Sequence, residues 1–354
     1  MKRKCFIVAI ALLAMCSAVR GQTEKKKFEF KPIATGMMSV GANFPADSKV
    51  GYGFNLDRAY LGVEGKWGKG WSFKFVADCG KSSAVDDYQR IVYIKNALVQ
   101  WKSDRFSVRA GLIGTNVFGT QEKFWGRRYV MKTFQDEYKF GSSADLGAAI
   151  EWSPSRVVSL DAIIVNGEGF KKLQIERGLL YGVGITVKPV EGLTLRAYGD
   201  LNQKPDDSTP KKTLNAMVGY KNQTFSIAVE GSFIFDKETQ TLTETQTQTL
   251  TQTETETLTQ TQTQAQSQSQ ILNRNQSGLS AYGSVKVGKC DIFARYDLLT
   301  SKNNWNKSKD GSMALAGVGI DLCKYVKMAP NVKVWIPKEG KATPSVNVNF
   351  QFAL

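Results

Sequence analysis

From residue 30 onward the chain is a succession of segments in which apolar and polar residues alternate. In 193–201, for example, Leu193 and Leu195 share one side of an extended backbone, and Thr194 and Arg196 share the other. Successive side chains of a strand point to opposite faces, so each such segment predicts a strand with one apolar and one polar face. Beyond the N-terminal leader no helical periodicity is convincing, and the predicted strands are 30–44, 52–66, 70–79, 91–102, 105–115, 143–152, 157–167, 178–189, 193–203, 212–221, 224–236, 278–288, 291–301, 312–323, 328–337 and 345–354.

The connections between these sixteen segments alternate in length. Connections after even-numbered strands are short, such as 68–70 and 222–223, whereas the long ones, such as 116–142, 168–177 and 237–277, follow odd-numbered strands. Short periplasmic turns and long extracellular loops are typical of a membrane-spanning antiparallel β-barrel. A soluble sandwich of two sheets gives no reason for this segregation. The predicted fold class is therefore all-β, a transmembrane barrel of about 16 strands whose last strand pairs with its first.

Aromatic residues cluster at the short turns. Trp67 and Trp71 flank the first turn, Trp152 precedes the third, and Tyr220 and Phe225 bracket the fifth. All lie on the face assigned as apolar, where rings at the membrane–water boundary form the girdle of a barrel. The core aromatics of a sandwich, which is the alternative, would lie in the middle of strands.

The first 21 residues have the features of a secretory signal peptide. Basic residues at 2–4 precede an apolar run at 6–14, and Val19 and Gly21 are small residues ahead of a cleavage site before Gln22. A lipoprotein modified at Cys16 is the alternative. No later run of 18 apolar residues predicts a transmembrane helix. We therefore expect a chain that is exported to the outer membrane.

The charge and the absence of histidine restrict the possible functions. Removing four basic residues with the signal peptide lowers the formal net charge from +15 to +11, which favours anionic partners over cationic ones. Nucleic acid is not an expected partner of an exported chain. The chain has no histidine, which removes Ser-His-Asp and Cys-His catalysis and most zinc sites. We expect no enzyme activity, cofactor or metal.

Three cysteines remain after cleavage, which is an odd number. Cys290 and Cys323 lie on neighbouring predicted strands, but the alternation places them on opposite faces, which disfavours a disulfide. The redox state of Cys79, Cys290 and Cys323 stays open at this stage.

A low-complexity tract interrupts the barrel pattern. Residues 241–264 contain three copies of a Thr/Gln-rich octapeptide, beginning TLTETQTQ. The predicted organisation is a signal peptide at 1–21 and a single barrel domain at 22–354, in which 237–277 is an extracellular loop. Its low apolar content predicts disorder, and a hairpin that extends the two flanking strands is the alternative.

The segment FWGRRYVMKTFQDEYKFGSSADLGAAIEW (124–152), followed by VNGEGF (165–170), resembles the outer-membrane porins related to the phosphate- and polyphosphate-selective type. Asp145-Leu146-Gly147 fits the motif that opens the strand after the long loop in that family. The similarity is clearest over 90–200. The resemblance implies a sixteen-stranded pore, often trimeric, with the long loop folded into the lumen.

Charged residues on the polar faces must line water or one another, because charges facing lipid are costly. The lumen wall is accordingly predicted to carry Arg58, Lys74, Arg109, Arg196 and Arg295. Salt bridges with wall carboxylates are the alternative role for most of them. The loop 116–142 interleaves rings with basic residues, and the predicted constriction consists of Lys123, Arg127, Arg128, Tyr129 and Lys132.

The predicted function is a porin that lets small hydrophilic solutes diffuse through the outer membrane with a modest preference for anions. Outer-membrane lipid and lipopolysaccharide, small solutes and further copies in a homotrimer are the expected partners. If the constriction cations pair instead with wall carboxylates such as Asp145 and Glu151, they give no selectivity. The alternative function is a barrel-anchored adhesin that displays the Thr/Gln-rich loop.

Overall fold

The computed structural model describes residues 28–81, 90–172, 178–204, 209–250 and 260–354. Its strands are β1 (Glu29–Asn43), β2 (Gly51–Trp67), β3 (Trp71–Lys81), β4 (Arg90–Lys102), β5 (Phe106–Gly114), β6 (Ala144–Trp152), β7 (Val158–Val165), β8 (Leu180–Val187), β9 (Leu193–Asn202), β10 (Lys211–Lys221), β11 (Phe225–Phe235), β12 (Lys237–Leu250), β13 (Gln260–Asn273), β14 (Gln276–Val287), β15 (Cys290–Ser301), β16 (Gly311–Cys323), β17 (Val326–Pro337) and β18 (Thr343–Ala353). Among the described residues, no helix is long and apolar enough to cross a membrane.

All of these strands except β12 and β13 form one closed antiparallel barrel of sixteen strands. Each wall strand pairs with its neighbour in the chain, β11 pairs with β14, and β1 closes the barrel on β18 from Thr35 opposite Ala353 to Asn43 opposite Ser345. The predicted barrel and its strand number are confirmed, and each predicted strand has ends within two residues of an observed wall strand. Closure leaves the wall no unpaired edge, which a sheet in lipid requires.

Burial alternates along the wall strands as the sequence pattern requires. In β11, the side chain of Val229 is 48% exposed on the outer surface, whereas Ala228 faces the interior at 2%. Val229 lies opposite Ala281 of β14 and Val218 of β10. Outward apolar residues of neighbouring strands thus form a continuous apolar surface around the barrel. The outer face is therefore the one that meets lipid.

A β-bulge in β2 reverses the alternation within one strand. Met37 of β1 pairs with Arg58 and Met38 pairs with Leu56, which leaves Asp57 as an extra residue. Before the bulge the even-numbered Phe54 is 92% exposed, and after it the odd-numbered Leu61 is 64% exposed. One extra residue thus turns Arg58 into the lumen while the strand keeps its outer face apolar.

The predicted aromatic girdle is present at the short-turn end. Trp67 and Trp71 stack at 6.3 Å between ring centroids, and Phe106 stacks on Trp152 at 6.0 Å. Each stack joins outward residues of two neighbouring strands that lie directly opposite each other. Such pairs stabilise the register of the wall, and rings at this end of the strands are typical of the membrane–water boundary of a barrel.

The Thr/Gln-rich tract forms a hairpin, so the expectation of disorder is wrong for residues 237–250 and 260–273. β12 and β13 pair in one register from Lys237 opposite Asn273 to Leu250 opposite Gln260, over about 45 Å. The hairpin begins where β11 and β14 end, and the Arg274 N–H donates to the Asp236 carbonyl at 2.8 Å. Because β11 and β14 already pair, the alternating Thr residues extend an existing ladder and need no core of their own.

The three cysteines of the described residues form no disulfide with one another. Cys290 lies opposite Ile320 and Cys323 lies opposite Val326, so the two do not pair across the strands. Cys79, in β3, is also a free thiol.

Candidate functional site: the lumen loop and the basic chamber

The connection between β5 and β6, residues 115–143, is here called the lumen loop. It contains two short helices that the sequence did not predict, α1 (Gly119–Trp125) and α2 (Phe134–Glu137). Isolated helices of this length are unstable, so tertiary packing must hold them. Gly126 ends α1 in the left-handed conformation at φ 64°, and its N–H donates to the Glu122 carbonyl at 2.9 Å.

Trp125 attaches the lumen loop to the far wall of the barrel. Its side chain is 1% exposed and meets Tyr282 of β14 and Phe293 of β15 edge to face, at 5.2 and 6.1 Å between ring centroids. The indole N–H donates to the Met131 carbonyl at 2.8 Å. Since β14 and β15 lie far around the barrel from β5 and β6, the lumen loop crosses the interior.

Polar side chains of the wall hold the backbone of the lumen loop. Arg196 donates to the Asn116 carbonyl at 3.0 Å, Arg295 donates to the Lys132 carbonyl at 2.6 Å, and Asn349 donates to the Tyr129 carbonyl at 2.9 Å. These donors come from β9, β15 and β18. The loop is thus fixed at several points of the wall, and each bond satisfies a carbonyl that would otherwise lose its hydrogen bond to water.

Arg127 and Arg128 are each neutralised by carboxylates. Arg127 pairs with Asp291 of β15, and Arg128 pairs with Glu122 and Asp136 at 2.8 and 2.7 Å. Burial disfavours the charged form of Arg128, but the two carboxylates outweigh it and raise its pKa above the ordinary value. The partners are not the Asp145 and Glu151 that the sequence suggested.

The other predicted constriction residues have different surroundings. Lys132 lies 3.9 Å from Glu137, with both side chains about a third exposed, and Lys123 is exposed. Tyr129 is 5% exposed, and burial raises the pKa of its phenol to about 12. Tyr129 therefore stays a neutral phenol at physiological pH.

Asp145, in the Asp-Leu-Gly motif at the start of β6, binds backbone. It accepts hydrogen bonds from the N–H groups of Leu146 and Gly167 at 2.8 Å and of Gly169 at 3.1 Å. Gly167 and Gly169 belong to the loop after β7, whose φ angles of 92° and 84° favour glycine. The motif thus fixes the loop after β7, which also carries Lys171.

The predicted wall cations all point inward, and several of them pair along the wall. Arg58 pairs with Asp78 at 3.1 Å, Arg196 with Asp161, and Arg295 with Asp297 at 2.7 Å. Lys74 and Arg109 are partly buried and line the lumen beside Lys123.

A chamber of about 730 Å³ lies between the lumen loop and the wall formed by β1, β2, β17 and β18. We call it the basic chamber, because its ionisable lining is mostly cationic. The cations are Arg58, Arg90, Arg128, Lys132, Lys171 and Lys333, and the lining carboxylates are Asp57 and Glu137.

Three of these cations have no carboxylate within ion-pair distance in the described part of the chain: Arg90, Lys171 and Lys333. The Lys171 ammonium lies 4.7 Å from the centre of the Tyr93 ring. Burial and the nearby positive charge of Arg58 lower the pKa of Lys171 below its usual range. A positive potential of this kind attracts an anionic solute.

Sequence reasoning missed Arg90, Lys171 and Lys333. Arg90 begins β4, Lys171 follows the VNGEGF segment, and Lys333 is on the inward face of β17. The alternation of apolar and polar residues in β17 could have predicted that Lys333 faces the lumen. Local sequence could not predict that Arg90 and Lys171 line the same chamber as Lys333.

A second chamber, of about 450 Å³, lies on the short-turn side of α1. Its charges are mixed, since it is lined by Lys74, Arg109, Lys123 and Arg196 and by Glu64, Glu151 and Asp161. In the described residues there is no cluster of three or more Cys, Asp or Glu that could hold a metal ion.

Solved structures of barrels show the same architecture at low sequence identity. Salmonella typhi OmpF in complex with daunomycin matches at a TM-score of 0.63 and 11% identity, over 92% of this chain and 98% of that one. The anion-selective porin from Comamonas acidovorans matches at 0.60 and 11%, over 93% and 100%. In-vitro folded OmpT of Vibrio cholerae, in its trimer form, matches at 0.54 and 12%, over 94% and 100%. The chain has the porin fold.

The family model of phosphate-selective porin O and P matches residues 38–122. It confirms the resemblance drawn from the sequence, although it covers β1 to α1 and so only part of the 90–200 region where the similarity was expected to be clearest. No curated protein matches the chain.

Proposed function

We propose that this porin-fold chain is an outer-membrane channel for the passive diffusion of small hydrophilic solutes with a modest preference for anions. The family match and the barrel support a channel rather than an enzyme. The outer membrane is the site that the fold and the family match favour. The signal peptide at 1–21 lies outside the described residues and stays a prediction.

The observation that carries the anion preference is the excess of cations in the basic chamber. Two unit charges 4 Å apart interact by about 4 kcal/mol at the effective dielectric of a protein surface, so an unpaired lysine on the path is a strong local attractor. Arg127 and Arg128 are already matched by carboxylates, and in the basic chamber Lys171, Lys333 and Arg90 are the cations that have no carboxylate partner among the described residues. We assign Arg127 and Arg128 to positioning the lumen loop.

The test is the reversal potential of single channels in a planar bilayer under a KCl gradient. Lys171→Gln combined with Lys333→Gln should move the reversal potential toward that of a non-selective pore. Lys289→Gln, in the exposed turn between β14 and β15, is the matched control and should leave it unchanged. Wild-type selectivity in the double variant would show that the basic chamber does not set the ion preference.

A trimeric assembly is part of the proposal. OmpT of Vibrio cholerae, which shares the fold, is described in a trimer form. Crosslinking of the native membrane followed by gel electrophoresis would show whether this chain assembles in threes.

The hairpin of β12 and β13 supports a second candidate function, a barrel that displays this ribbon to a partner. The supporting observation is the long two-stranded ribbon continuing from the barrel mouth. Conductance separates the two functions, because a barrel that serves only as an anchor passes no ions.

A further inference from the structure

A large groove lies on the outside of the barrel. It has a volume of about 1120 Å³ and is lined mainly by outward residues of β5 to β11 and by the base of the hairpin. Apolar outer surface is expected of any membrane barrel, but a groove of this size in it requires a local cause.

Small residues on the outer face produce the groove. One outward row crosses the strands as Ile150, Ala162, Val183, Gly199 and Leu214, each paired with the next. Ala162 and Gly199 are depressions in this row, whereas Val183 and Leu214 stand out from it at 65% and 50% exposure. A Cβ at position 199 would lie 3.0 Å from Leu214 Cδ2, so a side chain there would press on Leu214 and narrow the groove.

Basic residues close the groove at the long-loop end. Lys212 lies on the outer face between Leu201 and Phe235, and Lys237 is the first residue of the hairpin. Both are exposed, and the described chain places no carboxylate within ion-pair distance of either. The carboxylate beside them, Asp236, is held by Lys204 at 2.7 Å.

We propose that this groove binds one lipid with a phosphate-bearing, net negative headgroup from the leaflet on the long-loop side. The acyl chains lie over Ala162 and Gly199, and the headgroup lies between Lys212 and Lys237, with the amides of Asn273 and Asn275 in the same lining. Basic residues at the membrane surface attract anionic headgroups. A flexible acyl chain can follow a groove between protruding side chains and the base of the hairpin. The outer wall of a second barrel is rigid and convex, so it would not fill this groove.

The test is native mass spectrometry of the full chain in detergent, with dimyristoyl phosphatidylglycerol as the anionic probe and dimyristoyl phosphatidylcholine as the neutral one. Wild type should retain one phosphatidylglycerol and little phosphatidylcholine. Ala162→Trp fills the groove and should abolish retention, and Lys212→Glu with Lys237→Glu should weaken phosphatidylglycerol retention roughly tenfold or more. Ala294→Trp, on the outer face of β15, is the matched control and should bind like wild type.

Equal retention of the two lipids by wild type, or wild-type retention by Ala162→Trp, would overturn the proposal. Dissociation of a lipid-free oligomer by Ala162→Trp would assign the groove to a second copy of the chain instead. Heat-modifiable migration checks that each variant is folded, and the lysine variant tests the headgroup site independently of the groove.

Discussion

Replacing Trp125 by alanine should release the α1 end of the lumen loop from the far wall. The indole is 1% exposed, donates a hydrogen bond to the Met131 carbonyl and packs edge to face on Tyr282 and Phe293. The Arg295 guanidinium also lies 5.3 Å from the ring centre. Trp125 therefore contacts both the loop and the wall.

The magnitude follows from the size and burial of the side chain. Truncating a buried tryptophan to alanine costs about 3–5 kcal/mol, which includes the lost packing and the cavity. The barrel ladder is untouched, so the cost falls on docking of the loop. It lowers the ratio of docked to undocked loop by roughly two to four orders of magnitude, at 1.4 kcal/mol per factor of ten. Phe134, fully buried elsewhere in the loop, should keep the α2 end attached.

The assay is single-channel recording at fixed KCl concentration. Trp125→Ala should raise the conductance and add fluctuations between levels, because part of the loop leaves the lumen. Trp152→Ala is the matched control, since it removes the same ring from the lipid-facing girdle, where it is 42% exposed. A Trp125→Ala channel with the conductance and noise of wild type would refute the inference that this residue holds the loop in the pore.

Four further predictions concern the wall, the loop and the hairpin. Val229→Arg should lower the free energy of unfolding of the barrel by about 2–4 kcal/mol if Val229 lies near the bilayer midplane, and Ala228→Arg on the inner face should lower it less. Urea unfolding in lipid vesicles measures both values. Equal losses would contradict the assignment of faces. Replacing 238–272 by a short turn should leave a heat-modifiable barrel, because β11 and β14 pair without the hairpin; loss of assembly would mean that the tract is needed for folding. Arg127→Glu with Arg128→Glu places new negative charge beside Asp291, Glu122 and Asp136. The double variant should therefore loosen the loop and shift the reversal potential toward cation selectivity. An unchanged reversal potential would remove both residues from the site. Lys171 is charged below its pKa and neutral above it, so its lowered pKa predicts that anion preference falls with rising pH at a lower pH than an ordinary lysine would require; Lys171→Gln should remove this step, and a step that persists would assign it to another group.

The sequence by itself determined the wall. In a membrane barrel every strand has lipid on one side and the lumen on the other. Apolar and polar residues therefore alternate in every strand, and this alternation locates the strands in the sequence. The alternation of Phe225, Ile227 and Val229 with Ser226 and Ala228 is such a case, and its faces are those observed. The closing pair of β1 and β18 follows too, because an open edge has no hydrogen-bond partner in lipid.

The sequence did not determine the path of the lumen loop, since its helices are too short to show a period. α1 and α2 exist because Trp125, Phe134 and Phe140 are buried against wall strands that are far from them in the chain. The hairpin was underestimated for a related reason. Its composition predicts disorder, and only the pairing of β11 with β14 beneath it supplies the ladder that it extends.

Which charges are paired was decided by tertiary structure alone. Arg127 and Arg128 were predicted to line the constriction, yet Arg127 pairs with Asp291, 164 residues away, and Arg128 pairs with Glu122 and Asp136 within the folded loop. Lys171 and Lys333 come from separate parts of the chain and meet in one chamber only when the barrel closes. Ion selectivity depends on the charges that have no ion-pair partner. Ion pairs between residues far apart in the chain form only in the closed barrel, so no single segment of the sequence reveals them.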